Sequence, residues 1–272
     1  MTRRRTLLGA AMLLPMSILL AGFGRCSGSS WNLVWQDEFD GASNAAPDAT
    51  RWGFDLGTGA GGWGNGEQEY YRAENAALDG SGHLVITARK EDYMGSAYTS
   101  ARLLTKGKYA FTHGRVEARL RLPKGQGMWP AFWLLGADID QTPWPGCGEI
   151  DIMEARGQLP NTTIGTLHGP GYSGGNGISA SYTLPTGDLS TDFHVYAIEW
   201  DTDYIAWELD GVTYSVQTPA ELPAGAPWVF DHPFFIILNV AVGGNFVGLP
   251  DATTEFPQAM EVDYVRVYEA GS

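Results

Sequence analysis

The chain predicts an all-β fold, two antiparallel sheets in a sandwich closed by Greek-key or jelly-roll connections, and three observations carry that prediction. Its apolar runs are short and rich in β-branched and aromatic residues, as at 31–35, 83–89, 115–121, 130–135, 194–200, 205–209, 234–242 and 262–268. Turn chemistry separates them, for instance Asp79-Gly80-Ser81-Gly82 and Asp210-Gly211, where glycine and Asx residues supply the backbone angles that hairpins need. A 3.6-residue apolar period of useful length is missing, apart from one turn near Pro219 to Leu222. No repeat or low-complexity linker interrupts residues 31–272, so they read as one domain.

Residues 1–30 stand apart. They contain no acid, and Arg3, Arg4 and Arg5 precede an apolar run from Leu7 to Phe23. That pattern is an export signal, too short to span a membrane. It predicts a protein secreted from a bacterial cell, and Arg4-Arg5-Thr6-Leu7-Leu8 leaves both the Sec and the twin-arginine route open. Phe23-Gly24-Arg25 before Cys26 is a poor lipobox, so no membrane attachment is expected once the signal is gone. Cleavage after Cys26 leaves Cys147 as a lone small apolar side chain, and a Cys26–Cys147 disulfide requires Cys26 to survive processing.

The net charge of −14 deepens to −18 when residues 1–30, with their four arginines, are removed. Such a surface repels phosphate backbones and excludes nucleic acid as a partner. An uncharged substrate is indifferent to it. Ten Trp, twelve Tyr and eleven Phe instead offer flat apolar rings of the kind that stack on the C–H faces of sugars.

The sharpest chemical signal is Gly148-Glu149-Ile150-Asp151-Ile152-Met153-Glu154. As a strand it places Glu149 and Asp151 on one face and the isoleucines on the other. Glu154 is out of step and would enter the core, where an unpaired carboxylate is costly. One extra residue, most simply Met153, makes a β-bulge that returns Glu154 to the face of the other two acids. Taken alone the hexapeptide also reads as an edge strand with a solvated acidic face. The neighbouring strand favours a cleft: Trp129, Ala131 and Trp133 share one face while Phe132 and Leu134 supply the other with a core. Asn65 in the glycine-rich stretch 61–71 can donate to and accept from sugar hydroxyls, and His168 stands at a strand end beside a loop. Two carboxyls flanking a glycosidic bond suffice for its hydrolysis, with retention when they are about 5 Å apart and inversion when wider. Glu149 and Glu154 have Cα atoms roughly 13 Å apart at about 3.3 Å per residue, so their side chains must lean together. Three close carboxylates cannot all ionise cheaply, so they titrate as a coupled set with one pKa raised.

The run Glu149 to Glu154, preceded by Met128-Trp129-Pro130-Ala131-Phe132-Trp133 and followed by Leu167-His168-Gly169, resembles glycoside hydrolase family 16, especially its bacterial laminarinases, the endo-β-1,3-glucanases. The resemblance extends from Trp35-Gln36-Asp37-Glu38-Phe39 to Val262-Asp263-Tyr264-Val265-Arg266-Val267-Tyr268. It implies a concanavalin A-like β-jelly-roll with a substrate cleft on the concave sheet. It assigns Glu149 as nucleophile, Glu154 as general acid/base and Asp151 as the residue that tunes the nucleophile. Trp129, Trp133 and Trp144 would line the subsites beside the cleaved bond, Asn65 and Arg102 the glycone side, and His168 the neighbourhood of the acid/base. No cofactor is implied for catalysis, and a structural calcium would be held by Glu38, Gly82 and Asp263. The expected partner is a β-1,3-glucan and the expected state a monomer. A non-hydrolytic glucan-binding protein, a transglycosylase and an agarase on the same fold are the competing readings; the three acids speak against the first.

Overall fold

The computed structural model describes residues 30–271, so the proposed signal segment and Cys26 lie outside the described residues. In chain order the strands are β1 (Trp31–Asp37), β2 (Gly53–Asp55), β3 (Glu69–Tyr71), β4 (Ala76–Leu78), β5 (Leu84–Tyr93), β6 (Ser96–Ser100), β7 (Arg102–Leu104), β8 (Gly114–Arg121) and β9 (Met128–Gly136). They continue with β10 (Glu149–Ala155), β11 (Thr162–His168), β12 (Ile178–Thr183), β13 (His194–Asp201), β14 (Tyr204–Leu209), β15 (Val212–Gln217), β16 (Phe234–Val242) and β17 (Gln258–Ala270). Helical structure among the described residues is confined to single turns, including Pro219–Glu221, the turn that the sequence predicts.

Two sheets face each other in a jelly-roll. The seven-stranded sheet runs β12-β11-β10-β9-β16-β7-β2; the ten-stranded sheet runs β15-β14-β13-β8-β17-β5-β6-β3, with β1 on β17 and β4 on β5. Pairing is antiparallel except between β3 and β6. Period-two alternation builds the core between the sheets. Phe132 and Leu134 of β9, Ile150 and Ile152 of β10, and Leu238 and Val240 of β16 meet Val116 and Leu120 of β8, Ile198 of β13 and Val265 of β17. Each such side chain contributes about 1.5–3 kcal/mol when fully buried. Cys147 is buried and has no disulfide partner among the described residues.

The alternate residues of the ten-stranded sheet carry opposite charges that meet across strands: Arg115 with Glu208 at 2.7 Å, Arg121 with Glu261 at 2.6 Å and Arg266 with Glu38 at 2.8 Å. The hairpin β14–β15 turns at Asp210 (φ 50°) and Gly211 (φ 76°), two left-handed positions that match the twist of the flanking strands. β16 is buried along its whole length. Its second face is covered because Phe235 and Ile237 pack with Leu104, Trp133 and Leu135.

Candidate active site

The β10 ladder shows how the three acids come to share a face. Against β9, Glu149 opposes Leu135, Asp151 opposes Trp133 and Glu154 opposes Ala131. The four residues from Asp151 to Glu154 thus face three on β9, and Ile152 is the one without a β9 partner. Against β11, Asp151 opposes Thr166 and Glu154 opposes Ile164, leaving Ile152 and Met153 together opposite Gly165. The bulge is therefore the Ile152–Met153 pair rather than Met153 alone. Both side chains enter the core, which removes the conflict that plain alternation creates for Glu154.

A bulge frees main-chain groups from the ladder, and here the opposite sheet satisfies one of them. The buried indole of Trp207 on β14 donates from Nε1 to the carbonyl of Asp151 at 2.8 Å. Gly165 makes room for it, since a Cβ at that position would overlap the Trp207 ring.

Around the acids lies a cleft of ≈ 860 Å³. All nine residues assigned by the sequence to catalysis or substrate line it: Glu149, Asp151 and Glu154 on β10, Trp129 and Trp133 on β9, Arg102 on β7, His168 on β11, Asn65 on the glycine-rich loop and Trp144 on the β9–β10 connection. Trp144 donates from Nε1 to Glu149 Oε2 at 3.0 Å, and Trp129 donates to Glu154 Oε1 at 2.9 Å. His168 Nε2 lies 3.1 Å from Asp151 Oδ2 and 3.5 Å from Glu149 Oε1. Each indole thus orients one acid, and the imidazole bridges the other contact.

Burial raises all three carboxyls to about 8. For Glu149 the charge of Asp151 adds to the rise and His168 opposes it. For Glu154 Asp151 again adds, and the Trp129 hydrogen bond opposes. Asp151, 3% exposed, is raised by burial alone. The set can therefore keep protons at neutral pH while the hydrogen bonds and the imidazole favour charge on Glu149.

Several cleft residues were not singled out in the sequence. Trp63 and Trp133 sandwich the Arg102 guanidinium at 4.7 and 4.8 Å from their ring centres, and Asp55 holds its Nε at 3.0 Å. On the other flank Phe246 lies 5.0 Å from Trp129, with the Arg156 guanidinium over its ring at 4.2 Å. Asn239 accepts from Trp133 Nε1 at 2.8 Å. Of these, the aromatic residues of glycine-rich stretches, Trp63 and Phe246, carried a legible signal; Asn239, inside an apolar strand, was legible as a polar misfit.

The calcium set lies on the other sheet. The Glu38 carboxylate is tied to Arg266 at both oxygens and Asp263 Oδ2 to Arg119. What these residues can offer is main-chain oxygen and the second oxygen of Asp263. Asp263 is skipped in the β17–β8 ladder, Glu38 follows the end of β1, and Gly82 has φ +89° in a turn. An all-oxygen set with one carboxylate suits the chemistry of calcium.

Residues 65–266 match the model of the family described as "Glycosyl hydrolases family 16". The chain belongs to glycosyl hydrolases family 16. Family 16 relatives cover nearly all of the described fold. A "Beta-glucanase" of Rhodothermus marinus is 45% identical over 249 residues, 88% of this chain and 85% of that protein. The catalytic domain of an endo-1,3-beta-glucanase (laminarinase) from Thermotoga petrophila RKU-1 is 52% identical with a TM-score of 0.86, covering 90% of this chain and 100% of that one. An endo-beta-1,3-glucanase from Pyrococcus furiosus is 51% identical with a TM-score of 0.85, covering 90% of this chain and 97% of that one.

Proposed function

We propose that this glycosidase is a secreted, retaining endo-β-1,3-glucanase that hydrolyses laminarin-type β-glucans by double displacement. The observation that carries the reading is the β10 bulge, which sets Glu149, Asp151 and Glu154 on one face of a cleft walled by Trp129, Trp133 and Trp144. In the first step a Glu149 oxygen attacks the anomeric carbon while Glu154 gives its proton to the leaving glycosidic oxygen. In the second, Glu154 takes a proton from water as the water oxygen displaces Glu149, which leaves as the carboxylate. Asp151, the most enclosed of the three, holds a proton beside the nucleophile and eases its accumulation of charge. The rings give stacking area to an uncharged chain, and Asn65 and Arg102 give polar contacts on the glycone side.

The sugar specificity draws support from the named activities of the Thermotoga and Pyrococcus enzymes, and secretion from the pattern of residues 1–30. A calcium on the oxygens of Glu38, Gly82 and Asp263 would stabilise the fold and takes no part in the chemistry. Parallel digestion of laminarin, lichenan, agarose and carrageenan tests the substrate, with sugars expected from laminarin; release confined to agarose would replace the substrate while keeping the mechanism. Rapid NMR of the first reducing end tests the stereochemistry. A β anomer is expected, and an α anomer would overturn double displacement. Tight laminarin binding without released sugar would make the protein a lectin-like binder.

A further inference from the structure

Beneath the glycone side of the cleft lies a second pair of carboxyls that the proposed chemistry does not use. Glu69, the first residue of β3, is fully buried. Its Oε2 accepts from the Val242 main-chain N–H at 2.6 Å, whereas its Oε1 is enclosed with no donor aimed at it. The group beside it is the carboxyl of Glu67, itself almost enclosed. Two acceptor oxygens side by side in a dry site are stable only if one carries a hydrogen.

The surrounding hydrogen bonds say which one. Glu67 Oε2 accepts from the Tyr71 hydroxyl at 3.0 Å, and Oε1 accepts from Asn65 Nδ2 at 3.3 Å. The Tyr71 oxygen in turn accepts from Asn239 Nδ2 at 3.1 Å, and Asn239 Oδ1 accepts from Trp133 Nε1 at 2.8 Å. Every link points toward Glu67: Trp133 to Asn239, Asn239 to Tyr71, Tyr71 and Asn65 to Glu67. Glu67 is the acceptor at the end of the chain, which leaves Glu69 as the donor.

We propose that Glu69 is a carboxylic acid that donates to Glu67, and that this buried acid–carboxylate pair is a positioning device that fixes Asn65 and Trp133 for the glycone sugars. The proposal rests on the cleft being the β-glucan site. Burial and the Glu67 charge push the Glu69 carboxyl well above the usual carboxylate range. Burial, with the two neighbouring acids, raises Tyr71 as well, so its phenol stays a donor. Around the pair, β3 and its preceding loop present Glu67 and Tyr71, and the parallel neighbour β6 presents Tyr98 opposite Glu69. β7 presents Arg102, whose charge reaches Tyr71 and is balanced by Asp55 of β2. β16 presents the neutral Val242 N–H and Asn239. Among the described residues no cation stands against Glu69 itself, so loss of its hydrogen would put two like charges in one enclosed site. The loop bearing Asn65, clamped to the sheet by this pair, would then shift.

The test compares Glu69→Gln and Glu69→Ala with the parent enzyme. Gln keeps both functions, an oxygen for Val242 N–H and an N–H for Glu67, but cannot ionise. In the parent, KM for laminarin should rise at alkaline pH independently of kcat. Glu69→Gln should keep the neutral-pH KM within about twofold and abolish that rise. Glu69→Ala should raise KM about five- to tenfold at every pH, the size of one lost hydrogen bond of about 1 kcal/mol. Infrared difference spectra should show a protonated carboxyl C=O band that Glu69→Gln lacks, a readout independent of which polysaccharide is cut. If the band is unchanged in Glu69→Gln, or the alkaline rise in KM persists there, the proposal is wrong. If the band disappears but laminarin is not a substrate, the acid form stands and the reading of the cleft falls.

Discussion

At the scale of the residue, the cleft works by giving each acid a different neighbour. Glu154 meets an indole N–H and buried surroundings, and a carboxyl held up to about 8 is protonated at neutral pH. Turnover that needs this hydrogen should fall as pH rises through about 8, which a kcat/KM profile checks. Glu154→Gln should lower kcat by about 10²–10⁴-fold, the usual contribution of a positioned acid. A substrate whose leaving group needs no protonation should recover much of the first step. Stability follows with its own sign. Asp151 has a folded-state pKa raised by burial from 3.8 to about 8, so the folded chain holds a hydrogen in that window that the unfolded chain loses. The stability is full below the ordinary carboxylate pKa and is lost as pH rises through about 8. Asp151→Asn, unable to ionise, should therefore melt higher than the parent above pH 8 and match it in mild acid, while losing activity; calorimetry at the two conditions decides.

At the scale of the element, the catalytic strand depends on a residue of the other sheet. Trp207 reaches across the core to the Asp151 carbonyl, and a buried carbonyl left without its donor costs about 1–3 kcal/mol. Trp207→Phe keeps most of the ring volume and loses the N–H. It should lower the unfolding free energy by that amount in urea melts and reduce kcat more than it changes KM, because the spacing of the three acids depends on the bulge. Gly165→Ala attacks the same contact from the other side by crowding the ring, and overpacking costs about 1–3 kcal/mol. The two effects should be strongly non-additive, since both act on one contact. Equal and additive losses in the double variant would deny the coupling.

For the whole molecule, charge and substrate are decoupled. The chain carries −14 at pH 7, yet a neutral glucan feels no such field, so KM for laminarin should be unchanged between low and high salt, where charged partners would respond steeply. The proposed calcium would enter only through stability. EDTA should lower the melting temperature and added calcium, not magnesium, should restore it, because an ion bound only by the folded state stabilises by mass action. No change on chelation would remove Glu38, Gly82 and Asp263 from the list of ligands.

The sandwich was legible because period-two alternation and turn chemistry are local. β9 exposes Trp129 and Trp133 and buries Phe132 and Leu134, and the Asp210-Gly211 turn closes the β14–β15 hairpin. The misfit of Glu154 likewise announced a bulge, because a carboxylate does not belong in an apolar core. Short strands such as β3 and β7, whose pairing is set by distant partners, left no such signature. The position of the bulge at Ile152–Met153 required the registers of both neighbouring strands, and its support by Trp207 required the second sheet. The Glu67–Glu69 contact is hidden for the same reason. In the sequence these are two acids in a polar stretch, and only the packing of β16 against them removes the water that would have let both ionise. Composition and alternation by themselves determined an all-β frame with three acids and a row of tryptophans. Which of those acids share a face, which hold hydrogens and which residues hold them in place was decided by the tertiary structure, because desolvation and cross-sheet hydrogen bonds exist only once the two sheets are packed.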